Sequence, residues 1–69
     1  MIVVHLSVNG KPAIVNPEFI IFVEDCSIEK DEETINFTRI YLKQALPGDE
    51  ATSFVDVQEN VDKLYKMIK

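Results

Sequence analysis

The chain has 69 residues, 46% of them hydrophobic and 9% aromatic, and a formal net charge of −5 from 12 acids against 7 lysines and arginines. That composition is a folding one, not a disordered one, and the acidic balance argues against the basic face with which nucleic-acid binders neutralise phosphate, so no nucleic-acid partner is expected. No stretch approaches the roughly 20 apolar residues that a membrane helix needs, so membrane insertion is not expected.

A chain of this length reads as one small domain, 1–69, hiding only about 60% of the surface that its unfolded form exposes. Domains of this size usually add disulfides, a metal or a partner subunit to a marginal core. Cys26 is the single cysteine and His5 the single histidine, so no internal disulfide can form and a metal site has few ligands to draw on. Self-association, a homo-oligomer, is the supplement that remains. One cysteine fits a reducing compartment. Met1 to Val8 has no basic n-region and does not read as a signal peptide. The cytoplasm is the expected location.

Ile2, Val4, Leu6 and Val8 alternate with Val3, His5 and Ser7, a period of two that predicts a strand. Asn9-Gly10 follows, the strongest short hairpin signal, because a type I′ turn needs positive φ at both central residues. Lys11 to Val15 is the expected return strand. Pro12 cannot donate to a ladder, which places this strand at an edge. Asn16-Pro17 bends the chain again, into Phe19-Ile20-Ile21-Phe22-Val23. That run is apolar without alternation, and it predicts a strand buried on both faces.

Glu24 to Glu33 carries six acids and reads as a solvated loop. Thr34 to Leu42 is the next strand, rich in β-branched and aromatic residues. Ile35, Phe37, Arg39 and Tyr41 share one face, expected to point inward with Arg39 as the misfit. Asn36, Thr38 and Ile40 share the other. Pro47-Gly48-Asp49-Glu50 marks a turn, and Phe54 to Val57 a last short strand. Val61, Leu64, Tyr65 and Ile68 fall at helical spacing, with Asn60 as the N-cap. Asp56 with Glu59 is an alternative cap one turn earlier. Lys66 and Lys69 suit the C-terminal end of the helix dipole. The fold class is α+β: a small antiparallel β-meander of about five short strands with a C-terminal α-helix.

The order Leu6-x-x-Asn9-Gly10-Lys11, Val15-Asn16-Pro17, Ile20 and Glu24, closing with Phe54-Val55 and Glu59-Asn60-Val61-x-x-Leu64-x-x-x-Ile68, resembles the small flagellar and swarming-motility proteins of the FlbD/SwrD type and the related uncharacterised bacterial and phage proteins. The resemblance covers both ends of the chain. It implies a strand-rich fold with N-G-K and N-P corners and a short closing helix, and it brings no catalytic residues.

No stretch of the sequence assembles a catalytic, cofactor or metal constellation. The acidic run lacks the alternating oxygen ligands, central glycine and terminal glutamate of a Ca²⁺ loop. His5 and Cys26 would need an activated thiolate and an orienting third group to act as a base–nucleophile pair. Arg39 fits a cross-strand carboxylate partner. The aromatic stock exceeds what one short helix can cover, and interfaces favour aromatics. Phe19, Ile21, Phe22, Tyr41 and Tyr65 are therefore the expected interaction residues. The function expected is a non-enzymatic protein-interaction module that self-associates and docks on a larger protein assembly. The alternative is a small regulatory domain binding a small molecule or nucleic acid.

Overall fold

The computed structural model describes residues 1–43 and 53–69. In chain order these form β1 (Ile2–His5), β2 (Pro12–Val15), a single 3-10 turn (Pro17–Phe19), β3 (Ile20–Lys30), β4 (Glu33–Leu42), β5 (Phe54–Val57) and α1 (Val61–Ile68). The α+β class, the five strands and the C-terminal helix are as the sequence predicts. The single meander is not. The strands divide into an antiparallel pair, β1–β2, and a three-stranded antiparallel sheet in the order β3–β4–β5. The turn predicted across Pro47-Gly48-Asp49-Glu50 lies outside the described residues.

The division has a local cause. β1 stops at His5 instead of running to Val8, because Leu6 leaves the ladder with β2 and bridges Val57 of β5. Ser7 N–H donates to Asp56 O at 3.0 Å, and Gln58 N–H to His5 O at 2.8 Å. The first strand thus passes from one sheet to the other and ties both. The corner beyond it is also longer than a two-residue turn. Gly10 N–H donates to Leu6 O, and Leu6 N–H to Lys11 O. Only Gly10 has positive φ, +72°, while Asn9 does not. The Asn9 side chain instead accepts from Lys11 N–H at 2.9 Å, closing the corner from its own side chain. β2 is an edge strand with Pro12 exposed at its start, as its missing donor requires.

The larger departure is at Glu24–Glu33. This is not a loop: β3 runs through it to Lys30 and pairs with β4 down to Lys30↔Glu33. The reversal is a two-residue turn at Asp31 and Glu32, with φ of 53° and 65°. Both central residues are left-handed, the type I′ arrangement whose twist matches the flanking strands. Asp31 suits the first central position, but Glu32 stands where glycine is usual, so the run of charges hid a strand. Phe19–Val23 is not a doubly buried strand either. Phe19 ends the 3-10 turn that Asn16 caps by accepting from Glu18 N–H. A register shift between Ile20 and Phe22 turns Ile21 out, 60% exposed, while Ile20 and Val23 pack on the core.

Ile2, Val4, Ile40, Val57 and Leu64 are the buried apolar residues. They come from β1, β4, β5 and α1, so the core lies where the two sheets and the helix meet. Asn60 caps α1, its side chain accepting from Lys63 N–H at 2.7 Å. The helix buries Leu64, with Met67 packed beside it, while Tyr65 and Ile68 face outward. Glu59, one residue before the cap, is only 6% exposed. His5 N–H donates to its Oε1 at 2.8 Å, and His5 Nδ1 lies 2.6 Å from its Oε2. Burial alone raises a carboxyl, but the bonds from the His5 ring, the His5 backbone and Glu59's own backbone outweigh it and hold the group below the ordinary glutamate range.

Two measurements check this account. Replacing Glu32 by glycine removes a side chain from a left-handed position, and urea unfolding is expected to show a gain of about 1 kcal/mol. The depressed Glu59 carboxyl contributes stability that is complete above the ordinary carboxylate range and is lost as pH falls through its folded value. Glu59→Gln is therefore expected to be less stable than the parent at pH 7 and to lose less stability between pH 5 and 3. Unfolding curves of equal pH slope for the two proteins would refute the clasp.

Candidate interaction face

The three-stranded sheet has two unlike faces. Cross-strand partners share a face, and Val23↔Ile40↔Val55 with Thr38↔Val57 mark the side toward the core. Thr38 and Ile40 are buried there. Phe22↔Tyr41↔Phe54, Glu24↔Arg39↔Asp56, Cys26↔Phe37 and Ile28↔Ile35 mark the other side. The face Ile35-Phe37-Arg39-Tyr41, expected inward, is thus the outer face. The sides are set near β5, where β4 meets the core. There the choice is between burying Thr38 with Ile40 or Arg39 with Tyr41, and a guanidinium among Val4, Val57 and Leu64 would lose its solvation.

The outer face is a run of rings and charges in contact. Phe22 and Tyr41 stack with centroids 4.3 Å apart, and Phe54 lies 6.0 Å from Tyr41. Arg39 places its guanidinium 4.1 Å from the Phe54 ring and 5.8 Å from Phe37. It donates from Nε to Asp56 Oδ1 at 2.7 Å and from Nη2 to Oδ2 at 3.1 Å. The cross-strand carboxylate is therefore Asp56, and this bidentate bond raises the Arg39 pKa further. Tyr41 O–H donates to Glu24 Oε1 at 2.7 Å, which pushes the phenol up.

Beyond Thr38 the sheet loses its third strand. β5 pairs only with Thr38 to Tyr41, while β3 and β4 continue together to the turn. The extension is an amphipathic two-stranded ribbon. Ser27, Glu29, Thr34 and Asn36 lie on its core-side face, and Cys26, Ile28, Ile35 and Phe37 on its outer face. Ile28 is 51% exposed and Ile35 41%. A groove of about 430 Å³ runs along this face, walled by Ser7, Val8, Ile28, Ile35, Phe37 and Arg39.

Of the five expected interaction residues, Phe22 and Tyr41 stack on one another. Phe19 lies beside a hollow of about 210 Å³ formed with Ile14, Val15, Leu42 and Val55. Ile21 stands at the register shift, and Tyr65 lies on α1 with Lys69 Nζ 5.5 Å from its ring. Sequence reasoning did not place Phe54, Ile28 and Ile35 among the interaction residues. The alternation of β4 already put Ile35, Phe37, Arg39 and Tyr41 together, and only the direction of that face was reversed.

His5 and Cys26 do not meet. His5 is held by Glu59 on β1, while Cys26 sits on the outer face of β3. Desolvation and the nearby Glu24 push its thiol up, the opposite of what a nucleophile needs. Among the described residues no group of three or more His, Cys, Asp or Glu side chains could hold a metal ion, and no helix is long and apolar enough to cross a membrane. Comparison with protein-family models, curated proteins and solved structures finds no match to this chain.

The ring stack is expected to be a measurable coupling. A double-mutant cycle of Phe22→Ala and Tyr41→Ala, read by urea unfolding, should give an interaction energy of about 0.5–1.5 kcal/mol. Strict additivity would show that the two rings only share a neighbourhood.

Proposed function

We propose that the protein is a non-enzymatic interaction module that associates with itself and docks on a larger protein assembly. The observation that carries this reading is the ribbon beyond β5. A two-stranded hairpin alone is at best marginally stable in water. This one turns Ile28, Ile35 and Phe37 to the side that neither α1 nor β1–β2 covers. Continuous with it are Phe22, Tyr41 and Phe54, giving an aromatic-rich face of the kind protein interfaces favour. Among the described residues five apolar ones are buried, and a core this small supports the same conclusion, because a partner adds burial to a small domain. The turn and helix motifs that resemble the FlbD/SwrD-type proteins add a motility-like or phage-related setting. In the alternative reading, a small ligand would occupy the groove beside Arg39.

Size-exclusion chromatography with light scattering is expected to give a mass at least twice that of one chain at micromolar concentrations, falling on dilution. A monomer mass from micromolar to millimolar protein would overturn the self-association.

A further inference from the structure

We infer that the open edge of β3 receives a second copy of this chain, antiparallel, about a two-fold axis at Cys26. The inference rests on the self-association proposed above and adds to it a surface and a register.

β3 is the outer strand of its sheet, and among the described residues it pairs only with β4. The turn decides which of its backbone groups remain free. In a two-residue hairpin the flanking residues, here Lys30 and Glu33, exchange hydrogen bonds, and the pattern alternates along the ladder. Ile28, Cys26 and Glu24 therefore bond to β4. The N–H and C=O groups of Glu29, Ser27, Asp25 and Val23 point to the open side. The strand is eleven residues long and contains no proline, so a row of donors and acceptors is left for another strand to pair with.

A second copy fits this edge in one register better than in its neighbours. A two-fold axis normal to the sheet keeps outer-face residues opposite outer-face residues, so the axis must pass through a residue position. An axis at Asp25 opposes two aspartates, and one at Ser27 opposes Asp25 to Glu29 twice. Like charges directly opposite destabilise a pair. An axis at Ile28 shortens the overlap to Cys26–Lys30 and brings Asp25 against Asp31. Axes nearer Ile20 centre on Glu24, opposing two glutamates, or run into the register shift between Ile20 and Phe22.

With the axis at Cys26, the pairing runs from Phe22 to Lys30 and opposes no like charges. Phe22 then faces Lys30 of the second copy, Glu24 faces Ile28, and Asp25 faces Ser27. Glu24 also lies diagonal to the second copy's Lys30, within reach of long side chains, while the shorter Asp25 lies diagonal to the second copy's Asp25 and Glu29. The two three-stranded sheets become one of six strands, and the outer aromatic faces join into a single surface.

The single cysteine reads the register directly. Opposed Cys26 residues form a non-hydrogen-bonded pair with Cα atoms about 4.5 Å apart, within disulfide range. Diamide oxidation of the whole chain is expected to give a disulfide-linked dimer on non-reducing gels, whereas Cys26→Ser with Ile28→Cys gives little. Ser27→Pro removes an edge-facing N–H and is expected to yield a monomer by light scattering. Its fold is checked by circular dichroism; if it does not fold, the comparison of thiol positions decides alone. A dimer that fails to cross-link at Cys26, or cross-links equally at position 28, overturns this edge and register while leaving self-association standing. A monomeric parent protein overturns both.

Discussion

The structure depends on a carboxylate that is almost hidden from water. Glu59 stands where β5 ends and α1 begins, and both of its oxygens are taken by His5 of β1. A buried carboxylate without such partners would cost several kcal/mol in lost solvation. Here the backbone donor and the ring together make burial tolerable, and in doing so they fix the end of β1 against the start of the helix. The Leu6–Val57 bridge and the flanking backbone bonds extend the same seam. With the seam closed, Val4, Val57 and Leu64 are brought into one core. Open, the chain would be a pair of strands and a three-stranded sheet, each with one bare apolar face.

The seam also explains why the other described elements leave the outer face uncovered. α1 has eight residues, and its apolar side is used where the two sheets meet. Nothing in the remaining described chain lies across Phe22, Tyr41 and Phe54. The ion pair of Arg39 with Asp56 and the bond from Tyr41 to Glu24 satisfy the polar groups of that face in place. The rings can therefore be covered by a partner without stranding a charge, since the strongest polar groups there already have partners on the same sheet.

Much of this architecture was legible in the sequence, for identifiable reasons. Period-two alternation found β1, β-branched and aromatic composition found β4, and Phe54 to Val57 read as the short strand β5. The helix and its Asn60 cap followed from apolar spacing and the short polar side chain before it. Pro12 correctly marked an edge. The distal half of β3 was hidden because Glu24, Asp25, Glu29 and Asp31–Glu33 look like a solvated loop. A ribbon that stands clear of the core can carry charges on both faces, and its turn adopted the left-handed geometry without the glycine that usually announces it. The face of β4 was misassigned because apolar residues were counted along the whole strand, whereas only its last few positions reach the core. The Glu59 clasp had no local signal, since its partner lies 54 positions away.

That separation bears on how the molecule assembles. The β3–β4 hairpin closes around two residues, so its contacts are available early and involve little loop entropy. The seam of β1 with β5 joins nearly the two ends of the chain, and the loop that it closes spans both hairpins. The core is buried only when this longest closure is made. The hairpin that forms most readily thus carries the exposed Phe22, Ile28 and Ile35, and while the seam is unformed its free edge is open to whichever strand arrives first.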